Sequence, residues 1–301
     1  MGKKIVAFGE LVWDIFGEDK ILGGAPANFI FRLNSFGDNG FLLSRVGSDN
    51  LGKEALKRMV QLGMSNENVQ IDNVFPTGTV NVKVDGNGLP DYFIKRDVAF
   101  DHIECTSEAL KLVRDADCLC FGTLVQRYGI SKNTLRELIK EAPKPVKFLD
   151  IKLRKDCYTK NILENNLVYA DILRLKEIEL FSLKDELALA ESGTKALARE
   201  LIDRYGLNLI LVTKGKFGAF ALDKDNNYYE DRGYYINLVD TVGSGVAFSA
   251  GFMHYYLSGR PVDESLQFGN AAGALTAATH GATKLISKSE ILNLIKSGKR
   301  R

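Results

Sequence analysis

Apolar positions follow two rhythms along this chain. Short unbroken runs at 4–9, 41–46, 117–121, 146–150, 171–175 and 208–213 predict buried strands. Helical spacing predicts helices from the Pro26 region to a stop at Gly37, to about Leu62, and over 107–114, 131–141, about 157–165 and 193–205. It recurs from Ser244 to about Leu257 and over 262–279 and 288–297. From residue 107 the two rhythms alternate, which is βαβ logic and predicts a mostly parallel sheet covered on both faces. Residues 74–97 break the pattern. Thr79 to Val84 alternate, Asp85-Gly86-Asn87-Gly88 is a turn, and Tyr92, Phe93 and Ile94 form a second strand. This β-hairpin is inserted among α/β units, with further strand segments near 11–21 and two strands near 218–222 and 227–230. No internal repeat, linker or low-complexity segment occurs.

Composition narrows the class. At 301 residues the chain can bury one large core, and it reads as a single domain over 1–301. Apolar residues are 45% and charged residues 26%, and the net charge of +2 predicts no strong attraction to nucleic acid or membrane. Lys299, Arg300 and Arg301 read as a frayed tail. The cysteines Cys105, Cys118, Cys120 and Cys157 form no Cys-x-x-Cys pair and there are three histidines, so no zinc site is expected. Cys118 and Cys120 sit in an apolar run and read as core. Neither a signal peptide nor a transmembrane run is visible, which makes the cytoplasm the expected compartment.

The chemistry concentrates in glycine-rich turns. Residues 240–252, Asp-Thr-Val-Gly-Ser-Gly-Val-Ala-Phe-Ser-Ala-Gly-Phe, form a turn opening into a helix N-terminus. Such a turn can lay backbone N–H groups against an anion, although it is equally compatible with simple packing. Gly23-Gly24-Ala25-Pro26-Ala27-Asn28 is a second glycine pair before a helix, with Pro26 suited to its first turn. Asp14 follows the first strand, either as a functional carboxylate or as a solvated loop acid. No Gly-x-x-x-x-Gly-Lys-Ser/Thr run occurs, so Thr213-Lys214-Gly215-Lys216-Phe217-Gly218 is not a P-loop.

The 240–252 stretch resembles the C-terminal signature of ribokinase-like (PfkB-type) carbohydrate kinases, Asp-Thr-x-Gly-Ala-Gly-Asp, with fructokinases the nearest in wording. Asp240, Thr241, Gly243 and Gly245 match, Ser244 replaces a small Ala, and Val246 stands where the family has its catalytic Asp. The Gly23–Asn28 stretch, Val46-Gly47-Ser48-Asp49-Asn50-Leu51-Gly52 and Gly281-Ala282 are similar to further family elements in the same order. The resemblance implies a three-layer α/β/α fold with a mostly parallel central sheet and a small β-sheet lid, formed by segments about 11–21 and 74–97. It implies a homodimer through that lid. Its expected activity is ATP-dependent phosphorylation of a sugar hydroxyl, fructose to fructose 6-phosphate first among the candidates. Ribose, nucleoside and 2-keto-3-deoxygluconate kinases of the same fold are the alternatives, as is a binding-only homologue.

By resemblance Asp14, Gly23, Gly24 and Asn28 bind the sugar, joined by Arg96 and Arg154. Arg96 also reads as a surface residue beside Asp97, and Arg154 as half of an ion pair. Lys176, Thr213, Gly215, Gly218, Gly243, Gly245 and Asn270 fall on the nucleotide side. Gly243, Ser244 and Gly245 would carry the transferring phosphate. Glu179 is expected near Mg²⁺ through water, and Asp240 near a monovalent cation such as K⁺. Lys152 and Lys176 occupy positions where the family has Asn, and the three-residue spacing puts Lys176 and Glu179 on one helix face. Valine cannot accept a proton, so chemistry is expected to be strongly reduced.

Overall fold

The computed structural model describes residues 2–84 and 90–301. The turn expected at Asp85–Gly88 lies outside the described residues. The unbroken apolar runs become central strands because both of their faces are covered. β1 (Lys4–Phe8), β4 (Asn39–Gly47), β5 (Val69–Asp72), β8 (Cys118–Phe121), β9 (Val146–Asp150), β10 (Ile172–Lys176) and β11 (Leu209–Thr213) are parallel. β12 (Ala219–Asp223) and β13 (Tyr228–Asp231) run antiparallel at one edge. The nine-stranded order is β13-β12-β11-β10-β9-β8-β1-β4-β5. Chain order reverses at β1, which lies between β8 and β4, and the crevice beyond the strand ends at such a point is where ligands of these sheets bind.

Two apolar layers sandwich the sheet. One packs Phe8, Leu119, Leu149, Leu173 and Ile210 beneath α3 (Ser107–Arg114), α4 (Gly129–Glu141), α5 (Lys160–Tyr169), α6 (Glu177–Leu187) and α7 (Thr194–Tyr205). The other packs Ile5, Ala7, Cys118, Cys120 and Leu211 beneath α1 (Ala25–Ser35), α2 (Asn50–Gln61), α8 (Ser244–Leu257), α9 (Val262–Ala277) and α10 (Lys288–Ser297). Cys118 and Cys120 are thus core residues.

The smaller sheet has the order β3-β2-β6-β7, built from β2 (Val12–Phe16), β3 (Asp19–Gly23), β6 (Gly78–Val84) and β7 (Pro90–Ile94). Two polar knots fix it to the main layer. Asp49 caps α2 through the Gly52 N–H at 2.8 Å and also accepts the Thr77 N–H at 2.8 Å and hydroxyl at 2.7 Å, holding the start of β6. Arg127, in a buried ion pair with Asp101 at 2.8 Å, donates to the Lys95 carbonyl at 2.6 Å just past β7.

Four sequence expectations change. α5 begins at Lys160, later than expected, because the Thr159 hydroxyl caps it by accepting the Ile162 N–H at 3.3 Å. β5 and the extent of α6 beyond Glu179 were not foreseen: Ile71 in β5 and Ile178 and Phe181 in α6 are exposed apolar residues that blur the periodicity. The tail is docked, not frayed. Arg300 pairs with Asp231 at 2.7 Å and stacks over Tyr234, and the Arg301 N–H reaches the Gly233 carbonyl at 2.8 Å.

Candidate active site

The first pole forms where β1 hands over to the small sheet. Gly24 caps α1 with φ 108°, and a Cβ there would lie 2.3 Å from the Glu10 carbonyl oxygen, so only glycine fits. The Glu10 carboxylate accepts the Ala25 N–H at 3.2 Å, which fixes the turn from the strand side. Asp14 folds over Gly23, where a Cβ would lie 2.5 Å from its Oδ2. Burial pushes the Asp14 carboxyl up to about 6, against the pull of the Arg154 guanidinium. Asn28 is half-buried in the first turn of α1. Asp14, Gly23, Gly24 and Asn28 lie together at this turn, with Glu10 joining them and the Arg154 charge acting on Asp14. Burial raises the Glu10 carboxyl too, opposed in part by Lys152 and Arg154. Arg96 is exposed past the end of β7.

The second pole is the N-terminus of α8. Gly243 caps the helix with φ 79°, and a Cβ there would strike Ala282 at 2.4 Å. Asp240 staples the same two loops, accepting the Val242 N–H at 2.9 Å and the Gly281 N–H at 3.0 Å. The turn opens into a cavity of about 480 Å³ lined by Lys176, Thr213, Gly215, Gly245, Phe248 and Asn270, with Ser244, Gly218 and Arg301 also on its wall. Apolar Ile236, Leu238 and Ala274 complete it, giving the mixed lining suited to a flat polar ligand. Asn270 reaches this wall while its amide donates to the Asp231 carboxylate at 2.5 Å and the Arg232 carbonyl at 2.9 Å, which positions the loop after β13. Val246 is 7% exposed and packs into the apolar layer below the turn.

Between the poles lies a buried polar cluster whose Arg174 and Ser249 sequence reasoning missed. Arg174, on β10, is 2% exposed. Its Nη1 pairs with Asp150 at 3.1 Å and its Nη2 donates to the Thr213 hydroxyl at 2.9 Å. Asp150 also accepts Lys152 at 2.8 Å and the Ser249 hydroxyl at 3.0 Å. Burial alone would push the Asp150 carboxyl up, but Lys152 and Arg174 together hold it below the usual carboxylate range. A Cβ on Gly245 would come within 2.7 Å of Arg174 Nη2, so the helix turn sits directly against the guanidinium. Thr213 is thus oriented by Arg174. The available signal was an arginine within the otherwise apolar β10 run, a position that must find a partner.

Lys176 and Glu179 do not share a helix face. Lys176 is the residue before α6, and Glu179 closes a capping interaction by accepting the Lys176 N–H at 2.8 Å; its other oxygen accepts the Leu153 N–H at 3.3 Å.

Residues 3–289 match the model of the pfkB family of carbohydrate kinases, and the chain belongs to that family. It is 25% identical to a sugar kinase of Pyrococcus horikoshii over 96% of this chain and 94% of the relative. It is 24% identical to fructokinase-2 of Solanum lycopersicum, over 98% and 96%. The crystal structure of a fructokinase with bound ATP from Xylella fastidiosa superposes with a TM-score of 0.84 at 19% identity, covering 98% of both chains, and shows the shared ribokinase-like fold. No helix among the described residues is long and apolar enough to cross a membrane.

Proposed function

We propose that this chain transfers a phosphoryl group from ATP to a sugar hydroxyl, with fructose the first candidate substrate, at a rate limited by the missing carboxylate at Val246. The observation that carries this reading is the meeting of two glycine-built poles across one buried cluster. Asp14 and Asn28 flank Gly23–Gly24 on the acceptor side, and the α8 N-terminus flanks the 480 Å³ cavity on the donor side. The family membership and the resemblance to fructokinases support the substrate class.

In this reading Asp14 and Asn28 orient the sugar hydroxyls by accepting and donating hydrogen bonds. The N–H groups at the α8 turn, from Gly243 to Gly245, face the charge that develops on the transferring phosphate, as preorganised dipoles do. Arg174 backs that turn, and the small sheet covers the acceptor so that water is excluded. Val246 offers no acceptor for the hydroxyl proton, so positioning and electrostatics carry the turnover that remains. A non-catalytic, ligand-binding role is the second reading, favoured by the same Val246. Exposed Phe16, Ile21 and Phe93 on the small sheet support assembly of two copies through it. We assign the protein to the cytoplasm on its free cysteines Cys105, Cys118, Cys120 and Cys157.

The test is ADP release from ATP with fructose, ribose, nucleosides and 2-keto-3-deoxygluconate, alongside direct binding of each. Slow, fructose-dependent ADP release supports the proposal. Sugar and nucleotide binding without turnover, for this chain and for Val246→Asp alike, moves the assignment to the binding-only role.

A further inference from the structure

One wall of the donor cavity has little secondary structure of its own. Residues 232–243 run irregularly from β13 to α8, and Gly233, Tyr234, Ile236 and Leu238 of this stretch line the cavity of about 480 Å³. Backbone groups in such a stretch must find partners elsewhere. Residues 299–301 supply them. The Tyr235 N–H donates to the Lys299 carbonyl at 2.9 Å and the Arg301 N–H to the Gly233 carbonyl at 2.8 Å, around an antiparallel bridge between Tyr234 and Arg300. Arg301 Nε donates to the Tyr234 carbonyl at 3.3 Å, and its guanidinium lies 4.5 Å from the centre of the Tyr235 ring. Gly298, just past α10, allows this approach: a Cβ there would come 2.4 Å from the Leu294 carbonyl oxygen and 2.9 Å from the Tyr234 ring.

Arg300 works on the same wall through side chains. Its Nη1 pairs with Asp231 at 2.7 Å and donates to the Arg232 carbonyl at 2.9 Å, while the guanidinium sits 3.8 Å over the Tyr234 ring. Asp231 is buried and also accepts the Asn270 amide at 2.5 Å. Asn270 lines the cavity, and so does Arg301 itself. The turn after β11 closes the wall from the other side. A Cβ on Gly233 would come 1.9 Å from the Lys216 carbonyl oxygen, and one on Gly218 would come 2.1 Å from the Asp231 carbonyl oxygen. The wall therefore cannot move toward that turn, and residues 299–301 keep it from moving away.

We infer that residues 299–301 are a clasp on the nucleotide side of the site. Arg301 is a binding residue, and Arg300 is a positioning residue that acts through Asp231 and Asn270. The ligand is a nucleoside phosphate, so the inference rests on the nucleotide reading given above. A guanidinium on the wall presents such a ligand with fixed donors and a flat face. A wall that is ordered before the ligand arrives also lowers the entropic cost of binding.

The experiment joins two measurements on the full chain. The first is calorimetric binding of ATP to the unaltered protein, to Arg300→Met and to Arg301→Ala. Methionine keeps an unbranched stem over Tyr234 and removes the pairing with Asp231. Each variant is expected to bind ATP about tenfold more weakly, the loss of one charge-assisted contact. The second is hydrogen exchange of the unaltered protein with and without ATP. The Tyr235 and Arg301 amides are expected to exchange more slowly when ATP is bound, a response that a segment serving only the fold would not give. ATP affinity that stays within about twofold in both variants overturns the inference and leaves the nucleotide reading standing. Exchange at Tyr235 and Arg301 that ignores ATP overturns it as well, even where affinity falls, because the segment then supports the fold alone. Absence of ATP binding to the unaltered chain overturns the inference and the nucleotide reading together.

Discussion

Replacing Val246 by Asp sets two opposing effects on one side chain. Val246 is 7% exposed and sits in the third position of α8, after the Gly243 cap. Removing a buried valine from its apolar layer forfeits about 1.5–3 kcal/mol. A carboxylate in the first helical turn returns about 0.3–1 kcal/mol through the helix dipole. The net is a loss of about 1–2 kcal/mol, or a fall of a few degrees in Tm for a chain of this size. Turnover moves the other way. A restored general base is worth about 10²–10⁴-fold, which at about 1.36 kcal/mol per decade lowers the barrier by about 2.7–5.4 kcal/mol. The assay is ADP release with ATP and fructose, run beside thermal melting. Val246→Asn is the control, because it has nearly the same shape and polarity but cannot act as a base. Both variants should melt slightly earlier, and the Asp form alone should gain about 10²-fold or more in kcat. If Asp and Asn variants turn over within about threefold of one another while binding substrates normally, the assignment of position 246 to proton transfer is refuted.

Three further outcomes follow from the geometry. Gly23→Ala places a methyl group 2.5 Å from the Asp14 carboxylate; sugar affinity measured by calorimetry should fall by about tenfold or more, the loss of one charge-assisted hydrogen bond, with little change in melting. Asp14 has a folded-state pKa of about 6, above its ordinary 3.8, so its carboxylate is lost from the site as pH falls through 6. Sugar affinity should drop there, while the contribution of this group to stability runs the opposite way and increases between pH 6 and 4, because the folded state binds the extra proton; Asp14→Asn should remove the step in affinity. Arg174→Met leaves Asp150 buried with Lys152 and Ser249 as its remaining partners. Breaking such a pair costs about 3–5 kcal/mol, here toward the lower bound, and urea unfolding measures it.

The sequence made the fold legible where burial on both faces left an uninterrupted apolar run, as in β1, β8 and β11. It failed at β5 and at the extent of α6, where exposed Ile71, Ile178 and Phe181 carry no information about which side faces the core. The two glycine turns were readable because their glycines answer local demands: a positive φ at Gly24 and Gly243, and close contacts at Gly23 and Gly245. Arg174 was not readable, since its partners Asp150 and Thr213 lie 24 and 39 residues away along the chain and only strand adjacency joins them. Lys176 and Glu179 were misread for a simpler reason: the helix starts after Lys176, so a spacing that puts two residues on one helical face instead made a cap.

The strand pairing of the small sheet has a kinetic consequence. β2 runs parallel to β6, pairing Val12 with Gly78 and Ile15 with Asn81, although β3, α1, β4, α2 and β5 intervene in the chain. Of these, β4 and β5 belong to the large sheet and α1 and α2 pack on it, so β2 and β6 can meet in register once they are in place. Such a long closure loop is entropically costly, and contacts of this span form late in folding. The same argument runs backwards from the native state. Besides the Asp49 and Arg127 knots, the small sheet is held by the Trp13 indole N–H on the Leu51 carbonyl and by buried Val12, Trp13 and Val80; once these contacts open it can detach while the nine-stranded sheet remains intact. Amide hydrogens of β2 and β6 should therefore exchange with solvent ahead of those of β1 and β8, giving the substrate a door whose opening does not require the protein to unfold.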